Sequence, residues 1–413
     1  MLIKTICFSN YFLSKAKTLA FDRKTDSFVF LTIYIMSDYK NHGEIINYIY
    51  ENIVSREYSN DIKEKNIEIV IYETMFMCNV INTLKDYFLS KGLLKSNKIA
   101  HYIAKNFILI QKLIDFENDK TIIPLVKYDD YYCPNDIIEI RFRDDDIHNI
   151  KNLLYQMMSS YQYEMSTTKY KLITHIHKSN VKFEYYDVYY MSRKRYDKLM
   201  NIYINNKHDI KLFKERTFKA LLRHNIYDFH MGLSIQTFQL IETELAVNFE
   251  LFSSPINNYF DNYSSPYLDT DKFFGSSGDF FQVYPKLFIN GGSFEAFPPR
   301  VEEYIGVFAT IISEELQKSE AETGTSVSSE KALSFFIVIP YMPYSLAHKI
   351  FYRSKYCVYS LINIEYIDCV ENSSFTNQLI SIFILQNEEG RHKYKVTDNL
   401  IKGLKTQFRY NNK

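Results

Sequence analysis

Gly292-Ser-Phe-Glu-Ala296 runs into Phe297-Pro-Pro-Arg300 and then into the apolar stretch that begins at Val301. The first five residues read as a short strand, the double proline stops it, and Val301 to Leu316 resumes at helical spacing. A strand that ends in a stiff loop and opens a helix is where open α/β sheets place ligand-binding loops. Around it, candidate strands at Val247 to Phe252, Leu333 to Ile339 and Leu379 to Leu385 alternate with helices such as Thr237 to Leu245. From Phe218 onward this rhythm predicts an α/β sheet covered on both faces.

The N-terminal half reads differently. From Met36 to about Glu117 the apolar positions recur at helical spacing, with Ile45, Ile46, Ile49 and Ile53 on one face. Residues 121–146 are mixed strand and loop, 147–162 return to helix, and Tyr170 to Met191 alternates like a strand pair. The expected division is therefore 1–35, a possible upstream extension; 36–217, a mainly helical domain; and 218–413, the α/β domain. The apolar run Ser27 to Ile35 is about half the length a bilayer span needs, so no membrane segment is expected.

Composition narrows the classes. With 413 residues, 46% hydrophobic and 24% charged, the chain is neither disordered nor fibrous. Forty-nine basic residues balance 49 acidic ones, so nucleic acid would have to be held by a local patch rather than by the whole-molecule field. Five scattered cysteines without a CxxC pair fit neither a zinc site nor a disulfide framework, and point to a reducing intracellular compartment. There are 36 Tyr and 32 Phe but no Trp, which reads as AT-rich coding.

Three other clusters carry residues capable of chemistry. Asp144-Asp-Asp146 reads as a solvated loop or helix start ahead of a metal site. His175-Ile-His177 reads as a surface strand face, because no acidic or cysteine partner is close in sequence. Ser192-Arg-Lys-Arg-Tyr196 reads as a solvated basic turn, with contact to phosphate as the alternative. No metal is expected.

In the α/β half, Leu221-Leu-Arg223, Phe249-Glu-Leu-Phe-Ser-Ser-Pro-Ile-Asn257, Asp269-Thr-Asp271, Phe274-Gly-Ser-Ser-Gly278, Gly292-Ser-Phe-Glu-Ala296, Leu333-Ser-Phe335 through Ile339-Pro340, and Leu385-Gln-Asn387 follow in order. Together they resemble the phosphorylated-CTD-interacting factor family, the cap-specific adenosine N6-methyltransferases. The resemblance implies a Rossmann-like core that binds S-adenosylmethionine, preceded here by a mainly helical domain. It implies capped RNA beginning with adenosine as partner, and a link to the transcription machinery. It also implies cofactor contacts at Pro255, Asn257, Asp271, Phe274, Gly275 and Ser276, and cap or substrate contacts at Arg223, Pro340, Tyr341 and Met342. The family's WW module is not expected in a chain without Trp.

The family's catalytic Asn-Pro-Pro-Phe corresponds to Phe297, Pro298, Pro299 and Arg300, with Glu302 kept two places beyond. In the family motif the Asn oxygen and the first proline's carbonyl accept the two amino hydrogens of adenine, and the aromatic residue stacks on the base. Phe297 cannot accept a hydrogen bond, and Arg300 brings charge beside a sulfonium. Tyr341 and Met342 replace an acidic residue and a Trp that face the cap in the family. Three readings stay open: an active RNA adenosine methyltransferase, a binding protein of the same fold with lost or reduced catalysis, and a non-catalytic interaction protein.

Overall fold

The computed structural model describes residues 50–51, 63–92, 100–101, 104, 131–133, 136–138, 149–150, 152–153, 156, 171–185, 187–225, 232–321, 331–343, 345–366 and 378–410. The extension at 1–35, the triplet Asp144 to Asp146 and the polar stretch after residue 321 lie outside them.

Helix α1 (Ile67–Ser90) begins at Asn66, whose side-chain oxygen accepts from the Ile69 N–H at 2.8 Å. It is the one helix among the described residues long and apolar enough to cross a bilayer, yet Val80, Ile81, Leu84 and Phe88 are buried in a core shared with the C-terminal sheet. A short antiparallel pair follows, β1 (Tyr131–Cys133) and β2 (Asp136–Ile138). The expected strand pair before residue 192 is a three-stranded antiparallel sheet: β3 (Ile173–Ile176), β4 (Asn180–Glu184) and β5 (Val188–Ser192). Its inner face, Val181, Phe183 and Met191, packs on α2 (Arg193–Asn205) and α3 (Phe213–Asn225).

The boundary expected between 217 and 218 falls inside α3. One apolar cluster unites Val181 and Tyr196 with Phe218, Phe273 and Phe274, and another unites α1 with the main sheet. Lys219, itself buried, adds a polar tie by donating to Glu64 at 2.5 Å and to the Lys65 carbonyl at 3.0 Å. The two halves thus share their cores.

The remaining elements are α4 (Ile235–Leu245), α5 (Leu268–Asp271), α6 (Phe280–Leu287), β6 (Gly292–Ala296), α7 (Glu302–Ala321), β7 (Leu333–Pro340), α8 (Leu346–Arg353), β8 (Cys357–Tyr366), β9 (Gln378–Gln386), α9 (Glu388–Lys393), α10 (Asp398–Gln407) and β10 (Arg409–Tyr410). The sheet order is β10-β8-β9-β7-β6, with β6 and β7 parallel and β9 antiparallel to both neighbours. Beyond β6 the order continues through single parallel bridges, Glu250 to Glu295, Glu250 to Tyr263, and Tyr263 to Ser276. All eight residues of β7 are buried. Phe335, Ile337 and Ile339 face the α6, α7 and α8 side, whereas Phe336 and Val338 face the α4 and α10 side, as period-two geometry requires of a strand covered twice.

Two strand expectations need correction. Val247 to Phe252 pairs only through Glu250, because α4 ends at a left-handed Ala246 (φ 51°) and the chain has few residues before the next loop. β8 was not anticipated: its alternation is broken by two register shifts against β9 and by Asn363 at φ 58°.

Candidate functional site

The parallel bridges fix where the sheet can receive a ligand. The chain passes outward from Glu250 to Tyr263 to Ser276, then crosses back to lay β6 on the other side of Glu250. Strand order reverses between Glu250 and β6, and such a reversal opens a crevice at the carboxyl ends of the strands. The segments leaving that edge are 252–258, 264–265, 276–278, 297–300 and 341–342. They carry most of the residues singled out from the sequence, which the fold gathers from positions far apart in the chain.

Within this edge the individual roles separate. Asn257 is half-buried and its side-chain oxygen accepts from the Ser254 hydroxyl at 2.7 Å and from Ser253 at 3.4 Å; Pro255 beside it is buried. Asp271 is completely buried and accepts from the hydroxyls of Ser265 (2.7 Å) and Thr270 (2.8 Å), while its oxygen lies 2.7 Å from His224 Nε2. The Ser276 hydroxyl meets that of Ser265 at 2.6 Å and accepts from the Gly278 N–H at 3.1 Å. Phe274 lies in the apolar core, with its ring 5.8 Å from Tyr203 and 6.3 Å from Phe213. Gly275 has φ 96°, and a Cβ there would run into the Asp261 carbonyl. Asp271, Phe274 and Gly275 therefore shape the edge from beneath.

The tetrapeptide Phe297 to Arg300 divides in the same way. Phe297, 9% exposed, joins the apolar cluster of Phe238, Phe260, Phe336 and Val338. Pro298 is buried, Pro299 is half-buried with its carbonyl accepting from the Val301 N–H at 2.8 Å, and Arg300 is half-buried. Glu302 opens α7 and is buried with Glu303. At the neighbouring strand end Pro340 is buried, Met342 lies in the core on the α7 side, and Tyr341 is half-buried with its ring 6.0 Å from His348. Burial pushes His348 down to about 4, so it is neutral at physiological pH. Arg223 stands apart: it is buried and donates to Asp269 at 2.7 Å and to Glu73.

Sequence reasoning missed the groups that hold the crevice loop. Glu250 is buried and accepts from the N–H groups of Tyr259 (2.7 Å) and Phe260 (2.8 Å) and from the Ser253 hydroxyl (2.9 Å). From α2, Arg195 Nη1 donates to the Asn258 carbonyl (2.7 Å) and side chain (2.8 Å), and Lys198 Nζ donates to the carbonyls of Asn258 (2.9 Å) and Tyr259 (2.5 Å). Burial, with Arg195 nearby, brings Lys198 down to about 8. For Arg195 the reading as a solvated turn is thus corrected: its guanidinium is spent on loop carbonyls. The available signal was a carboxylate inside each of two apolar strands, Glu250 and Glu295, since such residues are rarely buried without a task. His175 also has an acidic neighbour that sequence distance hid, Glu184 on the paired strand at 3.5 Å. Among the described residues no group of three or more His, Cys, Asp or Glu is placed to hold a metal.

Two comparisons bear on this arrangement. Residues 195–375 match the family model described as phosphorylated CTD interacting factor 1 WW domain. Over 109 residues the chain is 35% identical to the mRNA (2'-O-methyladenosine-N(6)-)-methyltransferases of Mus musculus and Homo sapiens. That stretch is 26% of this chain and spans 14% of the length of each relative. The matched segment runs from Arg195 through Glu250, the crevice loops, β6, the tetrapeptide and β7, and over it the chain is similar to the phosphorylated-CTD-interacting factor family.

Proposed function

We propose that the chain is a cap-adenosine N6-methyltransferase-like protein that binds S-adenosylmethionine and capped RNA with lost or reduced catalysis. The observation that carries this reading is the strand-order reversal between Glu250 and β6. It brings the altered tetrapeptide and the loop 252–258 to one carboxyl edge, the position at which α/β sheets bind nucleoside ligands.

The edge offers chemistry suited to a polar cofactor. The Ser264 hydroxyl is buried there and has no hydrogen-bond partner among the described residues, while its backbone N–H donates to the Glu250 carbonyl at 2.9 Å. An orphaned buried hydroxyl beside a crevice is what a ribose or carboxylate would satisfy. Ser253, Asn257 and Ser264 would hold the cofactor, over a floor stiffened by Asp271, Ser265 and Ser276. S-adenosylmethionine, when bound, supplies an electrophilic methyl group.

On the substrate side the Pro298 carbonyl remains as an acceptor for one amino hydrogen of adenine. Phe297 offers none, and its ring belongs to the core between sheet and helices. Losing one preorganised acceptor costs about a hundredfold to a thousandfold in rate. The packing of Phe297 favours the binding protein over the active enzyme, and the polar edge favours it over a bare interaction protein. Isothermal titration of S-adenosylmethionine into the purified chain tests the cofactor half of the proposal. Saturable heat is expected, with Ser264→Ala weakening affinity; the absence of binding would refute it.

A further inference from the structure

The sheet β3-β4-β5 buries one face and presents the other. An antiparallel sheet with one face on the core should be polar outside. Here the outer face carries Ile173, Val188 and Tyr190, all exposed, with Tyr190 at 60%. The register sets His175 opposite Lys182 and Lys182 opposite Tyr190, so one row crosses all three strands over about 10 Å, two strand spacings. His177 extends the aromatic surface: its ring stacks with that of His175 at 6.5 Å and 21°. The charges are polarised along the face. Glu184, paired with Lys182, and Asp187 lie toward one end, and exposed Lys178 and Lys194 lie toward the other, where the Arg193 N–H donates to the Ser179 carbonyl.

We propose that this face binds single-stranded RNA, with Tyr190 and His175 stacking on bases and Lys178 and Lys194 near the phosphates. Flat side chains standing on a sheet beside cations are the means by which sheet surfaces take up unpaired bases, and stacking tolerates any base. A protein partner would also cover apolar residues. The stacked imidazoles and the lysine end favour a ligand with π-faces and negative charge. The site lies outside the carboxyl edge of the main sheet, so it would hold transcript away from the reacting adenosine. The proposal rests on the reading of the chain as RNA-directed, and its failure is separable because the test needs neither cap nor cofactor.

The experiment is fluorescence anisotropy at low salt with a labelled, uncapped, single-stranded oligoribonucleotide of about 10 nucleotides, within the usual range of site sizes. Tyr190→Ala should weaken binding about tenfold and Tyr190→Phe should leave it intact, since the ring and not the hydroxyl stacks. His175→Ala should weaken it as well, and thermal unfolding of each variant should match the parent because both side chains are exposed. The proposal is overturned if the parent does not bind, if Tyr190→Ala binds like the parent, or if duplex RNA binds equally well and independently of Tyr190. Loss of binding here with S-adenosylmethionine binding retained would count against this face alone.

Discussion

Glu250 and Glu295 are partners in a single parallel bridge at the edge of β6, and both residues are buried. Burial pushes Glu250 up to about 7 against the pull of its three donors, and burial together with the adjacent Glu250 pushes Glu295 well above the carboxylate range. The strand reversal that opens the crevice is thus built across two acidic residues of which at least one carries a proton at neutral pH.

The pair makes stability depend on pH in a defined sense. The folded value of Glu250 lies above the unfolded one, so its favourable contribution is full below the ordinary carboxylate range, about 4.3, and is lost as pH rises through about 7. Glu250→Gln removes this ionisation. The stability of the parent relative to that variant should therefore fall between about pH 5 and pH 8 in urea unfolding. A constant difference across that interval would show that Glu250 is ionised throughout.

Arg195 and Lys198 clamp the loop 258–260 from α2. Arg195→Met keeps the stem but removes the donor to the Asn258 side-chain oxygen and leaves the Asn258 carbonyl to Lys198 alone, and should cost about 1–3 kcal/mol. Affinity for S-adenosylmethionine should fall with it, since Asn257 adjoins the freed segment. A variant as stable as the parent would mean that the loop finds other donors.

How much of this was legible in the sequence depended on what each residue answers to. β7 is apolar and fully buried, and β6 and β9 are buried at Ser293 to Ala296 and Leu379 to Gln386, so their positions could be read within a residue or two. β8 escaped because its bulges and left-handed Asn363 hide the alternation. The tetrapeptide announced itself by its prolines, but nothing local indicates that the Phe297 ring belongs to the core; that follows from α4 and α10 packing on the sheet. Leu385-Gln-Asn387 matched the family as letters and proves to be a structural clasp. The Asn387 side chain accepts from the Leu333 N–H at 2.9 Å and donates to the Lys331 carbonyl at 2.6 Å, fastening β9 to the start of β7. Arg195 and Lys198 act on a loop some 60 residues away, a distance that periodicity does not report.

Gly275 answers to backbone geometry. With φ at 96° and the Asp261 carbonyl in the place of a Cβ, Gly275→Ala must distort the turn that carries Ser276 to the crevice. A loss of about 1–3 kcal/mol is expected in chemical denaturation, the cost of a non-glycine residue held in such a region. An unchanged midpoint would mean that the turn relaxes freely.

Phe297→Asn places an amide where the sequence resemblance expects one, at the cost of a core ring. Large-to-small changes in packed cores cost about 3–5 kcal/mol, and a polar amide in that place adds to the burden. Phe297→Asn with Arg300→Phe should therefore melt well below the parent. If the pair is as stable as the parent, the ring at 297 is dispensable to the core.

The central claim, binding with impaired transfer, is tested most directly by one assay. Labelled methyl transfer from S-adenosylmethionine to capped RNA beginning with 2'-O-methyladenosine is measured at saturating cofactor, beside the murine relative. The account predicts transfer at least about a hundredfold slower than that of the relative, the deficit expected from one missing acceptor at the amine. Transfer within about tenfold of the relative would contradict it and would make Phe297-Pro-Pro-Arg300 a working variant of the motif.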